Sequence, residues 1–299
     1  MRLDMKKCEL CPRECKVDRT VNVGYCGTRD EVYVSRVSLH MWEEPCISGE
    51  NGSGTVFFAG CPLHCVYCQN AKISGGTTGK IYSVRMLANI FLKLMNKGAN
   101  NINLVTPTHY IVQIVEALKL AKSEGLTIPI VYNTSGYEKV ESLKLLNGLV
   151  DVYLPDCKYF SSELAKKYSN APGYFEVAIK AIREMYEQVG KPVFDDEGIM
   201  KKGVIIRHLL LPGQLSDSKA VIKAMYEEFG DNVYLSIMNQ YTPMETVGEK
   251  YPELAVKVSE VEYDELVDYA IDLGVENGFI QEGETALESF IPNFDEEEC

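Results

Sequence analysis

Six short, almost wholly apolar segments recur along this chain with helix-like stretches between them, and that repeat fixes the fold class. The segments are TVFFA (55–59), INLVT (102–106), PIVYN (129–133), VDVYLP (150–155), VIIRHLLL (204–211) and NVYLSI (232–237). Runs this apolar suit strands covered on both faces, as in a parallel sheet. One intervening helix opens with Ser83 as N-cap and carries Leu87, Ile90, Phe91 and Leu94 toward Gly98. Another carries Ile111, Ile114, Val115 and Leu118 at helical spacing, and further helices are expected near 137–147, 174–189 and 217–229. Six βα units in series predict an α/β fold with right-handed crossovers. Its functional loops belong at the C-terminal ends of the strands, whether the sheet closes or stays open.

The loop after the first strand is unusual. GCPLHCVYCQN (60–70) places Cys61, Cys65 and Cys68 within eight positions. The N-terminus MRLDMKKCEL lacks the apolar core of a signal peptide, and no stretch reaches membrane-spanning length. A cytoplasmic protein is therefore expected, where clustered thiols mean metal binding or catalysis rather than disulfides. A structural zinc site wants four ligands, and His64 completes such a set only with awkward local geometry. A [4Fe–4S] cluster usually takes four thiolates. Three thiolates leave one iron open to an outside ligand.

Four more cysteines, Cys8, Cys11, Cys15 and Cys26, occupy CELCPRECKVDRTVNVGYCGTRD. Four thiolates there would close a second metal site, either zinc or iron–sulfur, and spacing does not choose between them. The remaining three, Cys46, Cys157 and Cys299, read as small apolar residues. The 43 acidic and 30 basic residues give a net charge of −13, which repels phosphate backbones and argues against nucleic acid as a partner. The expected organisation is a Cys-rich N-terminal module (1–50), a barrel-like domain (51–245) and a C-terminal extension (246–299). The extension has a helix around YDELVDYAIDLG and an acidic, solvated tail ending FIPNFDEEEC.

Cys61-x3-Cys65-x2-Cys68, with Tyr67 before the last thiol, resembles the signature of the radical S-adenosylmethionine (SAM) superfamily. The wider set GSGTVFFAGCPLHCVYCQN, NLVTPTH, YNTSGY, DVYLPDCKY, IIRHLLLPGQ and FIPNFD is similar to the branch related to pyruvate formate-lyase activating enzyme. That resemblance implies a partial (β/α)6 TIM-like barrel, and a [4Fe–4S] cluster whose open iron binds SAM. It further implies reductive cleavage of SAM and abstraction of a hydrogen atom by the 5′-deoxyadenosyl radical. The implied substrate is a glycine in a protein or peptide, such as a glycyl-radical enzyme, with a flavodoxin- or ferredoxin-like protein as reductant. Alternatives are modification of a small molecule or a ribosomal peptide, and a non-catalytic iron–sulfur carrier or sensor.

By the same resemblance, Asp156 and Lys158 in PDCKY hold SAM or peptide near the radical, although the pair also reads as a surface ion pair. Arg207 in IIRHLLLPG assists SAM, and an arginine in so apolar a strand requires a charged partner. Asn133 in YNTSGY is a SAM-side position or a turn residue before Gly136. The chain departs from the family where Gly-Gly-Glu normally receives the SAM ammonium: VTPTH stands there, offering Thr106 and Thr108, the latter also a plausible helix cap. Asn239 and Gln240 replace a customary histidine after the sixth strand. HMWEEPCISG (40–49) is similar to a segment in a subgroup of that branch, and its Glu43 and Glu44 either reach the active face or, the preferred reading, are solvated acids on a connector.

Overall fold

A ten-stranded sheet organises the computed structural model, which describes residues 5–76 and 78–281. Its strands are β1 (Val32–His40), β2 (Ser53–Phe58), β3 (Lys80–Tyr82), β4 (Ile102–Val105), β5 (Ile130–Thr134), β6 (Val152–Pro155), β7 (Val193–Phe194), β8 (Met200–Leu209), β9 (Tyr234–Met238) and β10 (Gly278–Ile280). The order is β10-β9-β8-β6-β5-β4-β2-β1-β3, with β7 paired to β8 off this path. Every neighbour from β2 through β10 along that path is parallel, while β1 joins β2 and β3 antiparallel. All six expected segments are strands of this parallel array. Among the described residues the two ends of the sheet are not paired to each other, so the fold is a partial barrel of mixed α/β class.

Burial explains the apolar runs. Every residue of β2, β4, β5 and β6 is buried, because helices cover the outside and the lumen is packed inside. The 13-residue helix Val84–Asn96 begins where expected, the Ser83 hydroxyl accepting from the Met86 N–H at 3.2 Å. A helix this short is marginal alone. It is held by Leu87, Ile90, Phe91 and Leu94, all buried, each contributing about 1.5–3 kcal/mol through apolar burial. The helices Ile111–Ser123, Tyr174–Val189 and Leu215–Phe229 pack similarly. The expected 137–147 helix is only a short α turn, Val140–Leu143, continued by a 3-10 turn.

The sheet crosses both expected domain boundaries. β1 lies within residues 1–50, and β10 within 246–299. β1 escaped sequence reading because a register shift between Val34 and Arg36 breaks its alternation. FIPNFDEEEC, its acidic tail and Cys299 lie outside the described residues. No helix among the described residues is long and apolar enough to cross a membrane.

Candidate active site

Gly60 turns the chain out of β2 with φ +85°, and only glycine fits: a Cβ there would lie 2.6 Å from the Cys26 carbonyl oxygen. The three-cysteine loop begins immediately after it. Cys61, Cys65 and Cys68 all line one cavity of about 730 Å³. Burial pushes the Cys61 thiol up to about 11 and Cys68 up to about 12, with neighbouring Cys65 adding to both. They therefore need a bound cation to become thiolates at neutral pH. His64 is in the left-handed region (φ 55°) with Nε2 2.8 Å from the Tyr25 carbonyl oxygen, so it is held away from the thiols.

A nest of tyrosines supports the loop, and sequence reading missed it. Tyr67 stacks edge-on to Tyr159, Tyr168 and Tyr241 at 6.3–6.4 Å between centroids. The Tyr159 hydroxyl lies 2.7 Å from that of Tyr67 and 2.8 Å from Ser169, whose hydroxyl donates to Cys65 Sγ at 3.1 Å. One signal was available: 18 tyrosines against 10 phenylalanines and one tryptophan. Buried tyrosines need partners, and here they make a polar frame inside an apolar cluster.

Thr106, Asn133, Asp156, Lys158 and Arg207 also line the cavity. The strand ends put them level: Thr106 N–H donates to the Asn133 carbonyl at 2.9 Å, and Asp156 N–H to Thr134 at 2.8 Å. Gly136 allows this approach, since a Cβ there would meet the Asp156 carbonyl oxygen at 2.2 Å. Lys158 Nζ donates to Asp156 Oδ2 at 2.7 Å, and Arg207 Nε to Asp156 Oδ1 at 3.0 Å. Arg207 also donates to Asn133 Oδ1 at 2.6 Å and to Glu43 Oε2 at 3.3 Å. The pair Asp156–Lys158 is thus mostly buried on the cavity wall, not a surface ion pair.

Burial alone would raise the Asp156 carboxyl, but Lys158 and then Arg207 outweigh it and hold it below the usual carboxylate range. For Lys158, burial opposes the charge, yet Asp156 and then Cys65 keep it firmly protonated.

Glu43 and Glu44 are corrected from solvated acids: Glu44 is buried and Glu43 mostly buried. The connector turns inward so that Glu43 meets Arg207 and accepts from Asn103 Nδ2 at 3.0 Å. Burial pushes both carboxyls upward despite Arg207. In the cavity lining Glu43 and Asp156 stand against Lys158 and Arg207, a balanced set, with Glu44 buried outside it.

Thr108 is a second correction. It neither lines the cavity nor caps a helix; its hydroxyl donates to Glu138 Oε1 at 2.5 Å, as does that of Thr134. Gln240 reaches the lining, whereas Asn239 does not.

Cys8, Cys11 and Cys26 are buried and Cys15 is half-buried. Burial pushes Cys11 up to about 12, with Cys26 and Cys8 adding to it, and Cys15 adds to the rise at Cys8, so the four lie within electrostatic reach. Among the described residues no cysteine is in a disulfide. Neither do three or more His, Cys, Asp or Glu side chains stand ready-arranged to hold a metal ion. The donor chemistry of the cavity nevertheless suits an iron–sulfur cluster: three soft thiols line it. The lining beside them, carboxylates and cations together, suits SAM, which carries a sulfonium, an ammonium and a carboxylate.

Comparison with known proteins agrees. The sequence model of the Radical SAM superfamily matches residues 55–224. An uncharacterized protein, MJ0674 of Methanocaldococcus jannaschii, is 31% identical over 274 residues, 89% of this chain and 74% of that protein. Streptococcus suis SuiB, solved bound to the precursor peptide SuiA, is similar in fold: TM-score 0.53 and 14% identity over 75% of this chain but 47% of SuiB. HydG, a maturase of the [FeFe]-hydrogenase, gives TM-score 0.51 and 17% identity over 77% of this chain and 52% of HydG. This chain therefore spans about half the length of those two solved proteins.

Proposed function

The chain belongs to the radical SAM superfamily, and from that premise we propose that it takes a hydrogen atom from a glycine in a protein or peptide, in the manner of the pyruvate formate-lyase activating enzymes. The observation carrying this reading is the meeting of Cys61, Cys65 and Cys68 with Asp156, Lys158 and Arg207 around one cavity. An electron carrier needs the thiols but has no use for the charged set.

Cys61, Cys65 and Cys68 would hold the cluster, leaving one iron for SAM. Bound together, cluster and SAM supply a one-electron cleavage of a carbon–sulfur bond and hydrogen-atom abstraction. The chain's own residues bind and orient. Lys158, fixed by Asp156, presents a localised positive charge beside the thiols. Arg207 has N–H groups to spare for an anionic ligand group, while Glu43 and Asp156 set the acidity of the lining. Thr106 and the nearby carbonyls offer neutral acceptors for an ammonium where the family's Gly-Gly-Glu is missing. The buried tyrosine frame keeps water from the loop.

The proposal extends to a second metal, zinc or iron–sulfur, at Cys8, Cys11, Cys15 and Cys26, and to a cytoplasmic setting with a flavodoxin- or ferredoxin-like reductant. It also treats residues 51–245 as the catalytic barrel, with 1–50 and 246–299 contributing strands β1 and β10 to its sheet. Gln240 in the lining, where a histidine is customary, favours a second reading in which the substrate is a small molecule or ribosomal peptide.

Anaerobic reconstitution with quantification of 5′-deoxyadenosine tests the chemistry, and each of Cys61→Ala, Cys65→Ala and Cys68→Ala should abolish it. Electron paramagnetic resonance on candidate partners tests the substrate. Deuterium recovered in 5′-deoxyadenosine from a small molecule, and never from a protein glycine, moves the assignment to the second reading.

A further inference from the structure

Arg13 sits in the turn between Cys11 and Cys15, remote in sequence from the catalytic loop, yet its guanidinium makes four hydrogen bonds to backbone carbonyls around that loop. Nε donates to Pro62 at 2.7 Å and Nη2 to Leu63 at 3.2 Å, both between the first and second thiols. Nη2 also donates to Ser169 at 2.9 Å, and Nη1 to Asn170 at 2.5 Å. Those last carbonyls end the helix Ser162–Ser169, where a cation is favoured by the helix dipole and by unpaired carbonyls.

The two segments joined by Arg13 are the ones that place Cys65. Ser169 donates its hydroxyl to Cys65 Sγ, and Val66 N–H donates to the Tyr168 carbonyl at 2.8 Å. Arg13 itself is held between aromatic faces, 4.3 Å from the Tyr25 ring centroid and 5.1 Å from that of Tyr137. The rest of the same segment braces the loop too: Cys61 N–H donates to the Cys26 carbonyl at 3.0 Å. Arg13 is absent from the cavity lining, so it touches neither substrate nor cofactor.

We propose that Arg13 is a positioning residue: it fixes the spacing of Cys61 and Cys65, and through that spacing the potential of the cluster and its affinity for SAM. The N-terminal four-cysteine segment is then the anchor of the catalytic loop. Its Cys11–Cys15 turn carries the clamp, and its Cys26 carries the second brace. Lysine replaces this residue only in part, because only a guanidinium presents enough fixed N–H groups to reach four carbonyls at once. The inference rests on reading Cys61, Cys65 and Cys68 as cluster ligands.

The experiment compares full-length wild type, Arg13→Gln and Arg13→Lys, reconstituted anaerobically. Lys139→Ala is the control, because it removes an exposed contact of the same segment (Lys139 to Glu14, 2.6 Å) that does not touch the loop. Readouts are iron per chain, midpoint potential, the change in the reduced cluster's paramagnetic spectrum on adding SAM, and kcat and KM for SAM cleavage. Arg13→Gln should lower SAM cleavage or affinity about 10–100-fold, the usual effect of losing a partner behind a metal ligand. It should also shift the potential and weaken the spectral response, with Arg13→Lys in between and Lys139→Ala unchanged. If Arg13→Gln does not fold, Arg13→Lys decides by the same readouts. Wild-type potential, spectrum and kinetics in the folded variants overturn the proposal. Failure of wild type itself to assemble a cluster overturns the functional reading, and this inference with it.

Discussion

Arg207 and Asp156 are joined twice. Their backbones form a parallel bridge at the end of β6, where Cys157 N–H donates to the Arg207 carbonyl at 2.8 Å, and their side chains meet at 3.0 Å. Backbone register thus fixes the orientation of a buried charge pair, so the pair is preformed rather than assembled by a ligand. Glu43 and Asn133 complete the cage around the guanidinium.

Replacing Arg207 by Met should therefore be severe. It leaves Glu43 and Asp156 buried without their shared partner, a loss of about 3–5 kcal/mol for breaking such a pair. Adding Glu43→Gln should return part of that stability, because one stranded charge is removed. Denaturant titration of the two variants tests this. Equal stabilities for the single and the double variant would show that Glu43 carries no charge in the folded protein.

Lys158 separates binding chemistry from cluster assembly. Lys158→Met should leave iron per chain near wild type, since the three thiols remain. SAM cleavage should fall about 10²-fold, the scale for removing one preorganised electrostatic contact. Iron analysis beside 5′-deoxyadenosine formation checks it. A parallel loss of both would make Lys158 a structural support of the loop.

How far these residues could be read from sequence follows from how local their signals are. Strands β2, β4, β5, β6, β8 and β9 were legible because burial on both faces writes a continuous apolar run into each. Ser83 was legible because an N-cap acts over three residues. Glu43 was not: its burial depends on Arg207, 164 residues away, and an acid beside an acid in a connector looks solvated. Arg13 was hidden in the same way, its partners lying 49–157 residues distant. Thr108 misled because a threonine ahead of a helix resembles a cap, whereas here its hydroxyl serves Glu138.

Glu138 gives a pH prediction. Burial pushes its carboxyl up to about 7, against the hydrogen bonds from Thr108 and Thr134. Between its ordinary value near 4.5 and about 7, the folded protein holds a proton that the unfolded chain has lost, so this group lowers stability as pH rises across that window. Glu138→Gln should therefore be more stable than wild type at pH 8, by about 1–3 kcal/mol, with the gain shrinking toward pH 5. Thermal unfolding at both values tests the sign. A gain of the same size at pH 5 would mean that packing, not charge, drives it.

Thr106 is the last test, and it sets stability against function. Its φ of 58° puts a β-branched residue in the left-handed region, at the end of β4 and on the cavity wall. That conformation costs roughly 1–2 kcal/mol for a non-glycine residue, and such strain persists where neighbours over-determine it. Here the neighbour is Asn133, whose carbonyl takes the Thr106 N–H and holds the turn against the adjacent strand. Thr106→Gly relieves the strain but adds backbone entropy to the unfolded chain, about 0.5–1 kcal/mol. The expected net result is a protein as stable as wild type or up to about 1 kcal/mol more stable. It should bind SAM more weakly, because a hydroxyl has left the wall of the cavity that the thiols also line. Thr106→Asn, which tolerates the same backbone and keeps a polar group, should recover binding in part. Calorimetric unfolding beside equilibrium SAM binding decides it. Loss of stability in Thr106→Gly with unchanged affinity would show that the threonine side chain serves packing and not the ligand.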